Sequence, residues 1–212
     1  MKLNGLYDII GLIESGGKVK VSVGVSARHV HLTEEHLKVL FGKNAVLHEK
    51  RPIHQPTQFA AEETVTIQTE KAKIEHVRVL GSVRPYTQVE ISLTDAYHLG
   101  IHPPIRESGD IKGSAPITII GPKGTVTLEE GCIIADRHIH ITPKQMELYG
   151  LIGLTEVHVQ VMGEKGGMLS RVYLRVAEAS YFELHLDTDD ANAFQLHNGD
   201  IVTILEGNQD GI

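Results

Sequence analysis

One short frame occurs twice in this chain. Arg28-His29-Val30-His31-Leu32-Thr33 returns as Arg137-His138-Ile139-His140-Ile141-Thr142, displaced by 137 − 28 = 109 positions. A duplicated frame limits the fold to two similar units. Each copy leads into a helix-like segment. Thr142-Pro143 with Gln145 is a capped helix start, and Glu34 and Glu35 after Thr33 are acidic residues suited to a helix N-terminus. Fainter echoes follow. Residues 65–80 and 157–176 both alternate with period two about a polar turn and predict hairpins. Ile117-Thr118-Ile119-Ile120 resembles Ile201-Val202-Thr203-Ile204. Helical pattern is confined to residues 3–14, 34–41, 94–99, 143–149 and 188–195, with short strands between Gly, Pro or Asn elsewhere. The expectation is a mainly β chain with short helices, forming two similar small β-barrels with helical caps. A TIM barrel needs about 250 residues and eight long helices, and is excluded.

Composition removes whole classes of function. Twenty Lys and Arg against 27 Asp and Glu leave a formal charge of -7, with no basic face for nucleic acid. No stretch reaches the roughly 20 apolar residues of a membrane helix. Leu3, Leu6, Ile9, Ile10 and Ile13 repeat at helical spacing and predict a short amphipathic helix, ended by Gly16-Gly17. The single cysteine, Cys132, has no partner for an internal disulfide and fits a reducing, cytoplasmic compartment. It sits in an apolar strand without a basic neighbour, as a buried structural thiol would.

Chemistry concentrates in the repeat. Side chains alternate along a strand, so His29 and His31 share a face, as do His138 and His140. Two imidazoles on one face can ligate one metal ion. With 13 histidines in the chain, one His-x-His is ordinary; two in the same frame point to metal. A catalytic zinc usually takes three protein ligands. The weak repeat aligns Glu90 with Glu183 and Ser92 with His185. That puts Glu90 and His185 two residues out of register but on the same strand face, as candidate third ligands. A surface carboxylate and an exposed histidine are the plain alternatives. Arg84, six positions before Glu90, shares its face if no bulge intervenes, and its planar fork suits phosphate. A solvated loop arginine beside Pro85 is the rival reading there. The glycine-rich stretches 121–124 and 163–167 are turns, without phosphate-loop spacing.

Together these segments resemble the PduL-type phosphotransacylases, also called phosphate propanoyltransferases, from about Val21 to Ile204. The resemblance is carried by Gly24-Val25-Ser26-Ala27-Arg28-His29-Val30-His31-Leu32, residues 58–65, Gln88-Val89-Glu90-Ile91-Ser92, Arg106-Glu107-Ser108-Gly109, Arg137-His138-Ile139-His140 and residues 185–189. It implies two linked β-barrels, residues 28–135 in one and 18–27 plus 136–212 in the other, with a two-zinc active site between them. His29, His31 and Glu90 would form one metal set, and His138, His140 and His185 the other. Arg84 matches the phosphate-contacting arginine. Ser26, Arg78, Leu80, His185 and Asn192 match positions lining a coenzyme A pocket, and Arg51 stands where the family often has lysine. The implied reaction interconverts an acyl-CoA and phosphate with an acyl phosphate and CoA. Thr57 departs from a usual glycine and Ser82 from a common proline.

Two rivals stand beside this. Gly24, His29, His31, Glu35 and Gly42 come within one residue of the spacing of a single-metal cupin, although Glu35 falls in the expected helix and Pro143-Lys144 replaces it in the second copy. A metal-binding component of a bacterial microcompartment is the non-catalytic alternative. Residues 1–17 suit either a helix docked on the barrel or a peptide engaging microcompartment shell or lumen proteins. A homo-oligomer is compatible with all of these.

Overall fold

The structure, a computed structural model, describes residues 18–55 and 57–205. The helix expected in residues 3–14 lies outside them. Two compact units divide the chain: one spans Ala27–Asp136, and the other combines the segments before and after it.

In the first unit the order is β2 (His29–His31), α1 (Glu34–Phe41), β3 (Glu49–Pro52), β4 (Phe59–Gln68), β5 (Lys73–Gly81) and β6 (Gln88–Glu90), after the strand β1 (Lys20–Ser26) of the other unit. It continues through α2 (Leu93–Leu99), β7 (Ile105–Arg106), β8 (Ala115–Ile120) and β9 (Thr125–Ala135). The ladder β4-β5-β2-β6-β9 is closed by β8, which pairs with both β4 and β9, while β3 and β7 extend its edges. Closure leaves no open edge within the ring.

The second unit adds β10 (His138–Ile141), α3 (Pro143–Leu148), β11 (Glu156–Val161), β12 (Gly167–Val176), β13 (Glu183–Asp187), α4 (Thr188–Ala193) and β14 (Ile201–Leu205). Its barrel runs β1-β13-β10-β12-β11-β14. The expected mainly β fold, two closed six-stranded barrels with four short helices among the described residues, is what the chain forms.

The two barrels are built alike. β2 runs parallel to β5 and antiparallel to β6, and β10 likewise to β12 and β13. β9 lies parallel to β6 as β1 does to β13. Each strand leading into an Arg-His-x-His frame thus completes the barrel of the other frame.

Short helices form where caps start them. Thr33 Oγ1 accepts from the His36 amide and Thr142 Oγ1 from that of Gln145, whose side chain reaches back to the Thr142 N–H. Ser92 and Asp95 form the same reciprocal box. The helix expected to reach residue 195 stops at Ala193, because Gln195 turns to φ 56, in the left-handed region. Thr57, read from the sequence as a departure from an expected glycine, also takes a positive φ, 64. The turn keeps the glycine-like conformation with a β-branched residue.

Each barrel is filled from its own strands. Val30, Ile67, Val79, Val89, Ile119 and Cys132 are wholly buried in one, and Val23, Ile139, Val159, Leu169, Val172 and Leu184 in the other. Each such aliphatic side chain is worth roughly 1.5–3 kcal/mol of burial. Val30 and Ile139, the residues between the paired histidines, belong to these cores. Alternation then sends His29, His31, His138 and His140 to the opposite strand face.

Candidate metal centres

Strand pairing delivers the third member of each set. Opposite His29 in β2 stands Glu90 in β6, and opposite His138 in β10 stands His185 in β13. This corrects the alignment read from the repeat. Glu90 corresponds to His185 and Gln88 to Glu183, with no two-residue offset. Ser92 corresponds to Asp187, each capping the helix that follows. The local sequences around Glu90 and Glu183 look alike, but the ladder, not the composition, sets the register.

In the first barrel His29, His31 and Glu90 are buried and bring ligand atoms within 4.8 Å of one another. Nε2 of His29 lies 3.4 Å from Glu90 Oε2, and Nε2 of His31 lies 4.0 Å from Glu90 Oε1. Burial pushes the His29 imidazole down, but the Glu90 carboxylate outweighs it and holds the pKa above the ordinary value. Burial likewise pushes Glu90 up, yet the charge and hydrogen bond of His29, then the charge of His31 and the Ser108 hydroxyl, hold it well below the usual carboxylate range. His31 is pushed down to about 2, by burial first and then by the positive charges of His29 and Arg84. Glu90 is therefore anionic and His31 neutral, the states a metal requires, while His29, held toward its protonated form, would release a proton on binding one.

In the second barrel Nε2 of His138 and Nε2 of His140 are 3.2 Å apart, and the ring of His185 lies 5.3 and 4.7 Å from theirs between centroids. His140 is pushed down to about 2, by burial and then by His138, His185 and Arg175. Tyr181 stacks on His140, and its hydroxyl lies 2.8 Å from His185 Nε2; burial, then the Glu183 charge, raises the phenol and keeps it protonated. Glu183 Oε2 lies 3.0 Å from the same nitrogen. Gly24 makes room for this group, since a Cβ there would meet Glu183 Oε2 at 2.7 Å and His185 Cδ2 at 3.0 Å.

These spacings suit zinc. Tetrahedral ligands at 2.0–2.1 Å from the ion lie about 3.3 Å from each other. His29 with Glu90, and His138 with His140, stand at that separation. Imidazole and carboxylate donors favour zinc over calcium or magnesium, which prefer all-oxygen shells.

Arg84 is half-buried, and its Nη1 donates to Ser108 Oγ at 3.3 Å. The other residues singled out from the sequence divide between the units. Arg78 and Leu80 lie on β5 opposite His29 and His31. Arg78 Nη1 is held by the Ala61 and Glu62 carbonyls, at 2.9 Å each. Arg51 is exposed on β3, paired with Ala60. Ser26 ends β1, beside Asp187, and Asn192 is exposed on α4. Cys132 is fully buried; burial, then the Asp95 charge, pushes its thiol up to about 12. Glu35, the ligand a cupin would need, is exposed on α1 and absent from the His29 set.

Sequence reasoning passed over Gln88, Ser108, Glu183 and Tyr181. Gln88 is wholly buried and donates to Glu90 Oε1 at 2.6 Å. Period-two spacing from Glu90 was a signal for Gln88, as it was for Glu183 from His185. Ser108 and Tyr181 lie outside the ligand strands; Ser108 falls in the Arg106-Glu107-Ser108-Gly109 segment that carries the family resemblance, without a role being read from it, and nothing local marks Tyr181.

Comparison with known proteins places the chain in a family. A family model described as phosphate propanoyltransferase matches residues 22–197. A phosphate propanoyltransferase of Thermotoga maritima is 51% identical over 187 residues, covering 88% of this chain and 89% of its own. One of Lachnoclostridium phytofermentans is 52% identical over 186 residues, 87% of each chain. One of Rhodopseudomonas palustris is 49% identical over 187 residues, 88% of this chain and 83% of its own.

Proposed function

Since this chain belongs to the phosphate propanoyltransferase family, a family of acyltransferases, we propose that it interconverts a short-chain acyl-CoA (propanoyl or acetyl) plus phosphate with the acyl phosphate plus CoA, using two zinc ions. The observation that carries the proposal is the pair of ligand sets, each with three donors converging from one ladder.

His29, His31 and Glu90 would hold one ion, and His138, His140 and His185 the other. Such ions supply Lewis acidity for negative charge on carbonyl or phosphate oxygens. Arg84 binds and orients the phosphate through its planar fork. A phosphate oxygen forms the new bond to the thioester carbonyl carbon, the C–S bond breaks, and the sulfur leaves as CoA thiolate. No covalent acyl-enzyme is required. Cys132 is unfit to form one, being buried with its thiol held protonated. Ser26, Arg51, Arg78, Leu80, His185 and Asn192 are assigned to CoA, with Arg51 and Arg78 supplying charge for its phosphates. No helix among the described residues is long and apolar enough to cross a membrane. We assign the reaction to the cytoplasm or to a microcompartment lumen reached through residues 1–17.

The test is release of CoA from propanoyl-CoA, with and without phosphate, in protein of measured metal content. Phosphate-dependent release, lost on chelation and restored by zinc, supports the proposal. One ion per chain and no phosphate dependence would favour a single-metal or scaffold protein instead.

A further inference from the structure

We propose that Ser108 is a positioning residue that joins the Glu90 metal ligand to the Arg84 phosphate clamp, so that one hydroxyl sets the geometry of both. The inference rests on the metal and phosphate reading above. A serine hydroxyl offers one proton and two lone pairs. Ser108 Oγ donates to Glu90 Oε1 at 2.7 Å, and it accepts from Gln88 Nε2 at 3.0 Å and from Arg84 Nη1 at 3.3 Å. These contacts draw on both the donor and the acceptor capacity of the hydroxyl.

The direction of each bond is fixed by its neighbours. Gln88 Oε1 accepts the Gly109 amide at 2.8 Å, so its Nε2 must face Glu90 and Ser108. Arg84 can only donate. The serine proton is therefore left for Glu90. Glu90 Oε1 receives Gln88 and Ser108, while Oε2 is the oxygen nearer His29 Nε2. One carboxylate oxygen is thereby tied to the protein, and the other is presented beside the imidazole. Outer partners of this kind orient a ligand and typically govern about 10–100-fold in metal affinity.

The loop that brings Ser108 here is itself pinned. Arg106 pairs with Asp110 at 2.7 Å, and Gly109, at φ 107, lets the chain turn against Tyr86. The other barrel is built differently among the described residues: Gln88 is replaced at its position by Glu183, an acceptor, and Tyr181 supplies the hydroxyl beside His185. The His138 set thus serves as an internal control.

Zinc affinity of each site can be read by chelator competition on the full-length protein, alongside kcat and KM for phosphate. Ser108→Ala should weaken one of the two ions about 10–100-fold and leave the other unchanged. KM for phosphate should rise while KM for acyl-CoA stays within twofold. Ser108→Thr, which keeps the hydroxyl, should restore both, which a merely structural role would not predict. If Ser108→Ala holds both ions with wild-type affinity and keeps the wild-type phosphate KM, the bridging role is overturned while the two-zinc reading stands. Wild-type protein that binds no ion overturns that reading, and this inference with it.

Discussion

Arg28 holds Asp95 with two hydrogen bonds, Nε to Oδ2 at 2.8 Å and Nη2 to Oδ1 at 2.6 Å, and Arg137 reaches Asp190 at 3.2 Å in the equivalent place. Each frame arginine thus grips the helix that follows the strand of the third ligand. Asp95 also accepts the Ser92 amide, two residues beyond Glu90. The spacing shared by the two frames puts an arginine beside the first histidine, where it ties the helix after the partner strand to the frame. The arginines are latches and are not available as anion sites.

Arg28→Ala should therefore destabilise the protein without removing a metal ligand. Asp95 is buried and would lose its charged partner, while the Arg28 side chain is 41% exposed and water screens part of the pair. The loss should be about 1–3 kcal/mol, between surface and buried ion pairs. Urea melts measure it. An unchanged midpoint would show that the pair is ornamental.

Glu90→Gln isolates charge from shape. The amide keeps the side chain's size, but Gln88 Nε2 and the Ser108 hydroxyl both aim protons at Oε1, and an NH2 there would meet donors. On the two-zinc proposal the variant should retain one ion of two, and turnover should fall by at least about 100-fold. Retention of both ions with full turnover would make Glu90 an outer carboxylate.

Cys132 supplies a pH prediction. Its thiol is raised from 9.0 to about 12 by burial and then by Asp95. Folding favours the protonated form, so this stabilisation is complete below about pH 9 and lost as pH rises toward about 12. Native protein at pH 8 should not react with a thiol reagent, and the thiol should appear only on unfolding. Rapid native labelling would mean that the strand opens.

Much of this was legible in the chain because its signals are local. The doubled frame, period-two alternation and capping residues gave the strands around His29 and His138 and the starts of α1 and α3. The register of β6 against β2 was not legible. It depends on which residues hydrogen-bond across the ladder, and the resemblance of Glu90 to Glu183 suggested a false match. The Ser108 contact with Glu90 was not legible for a related reason: the Arg106-Glu107-Ser108-Gly109 segment stood out, but only the closed barrel brings the loop after β7 back to β6. Tyr181, before β13, gained its meaning from the ring of His140 in the same way.

Arg84 separates phosphate transfer from every rival. Its guanidinium meets Ser108 and lowers the His31 pKa by its charge, so it lies within electrostatic reach of the first centre. Arg84→Ala should leave zinc content and acyl-CoA binding near wild type, because it is neither ligand nor CoA contact in this assignment. Turnover should fall about 100-fold or more, the scale of losing one charge-stabilising donor. The phosphate KM should rise in parallel. Arg84→Lys should recover only part of the loss, since an ammonium carries the charge without the bidentate fork. Initial rates across a phosphate series, at fixed acyl-CoA, decide it. Wild-type phosphate kinetics in Arg84→Ala would pass the role to Arg78, which faces His29 across the ladder but is already committed to the Ala61 and Glu62 carbonyls. Arg84, whose Nη1 meets a neutral hydroxyl at 3.3 Å, is the better placed of the two for inorganic phosphate.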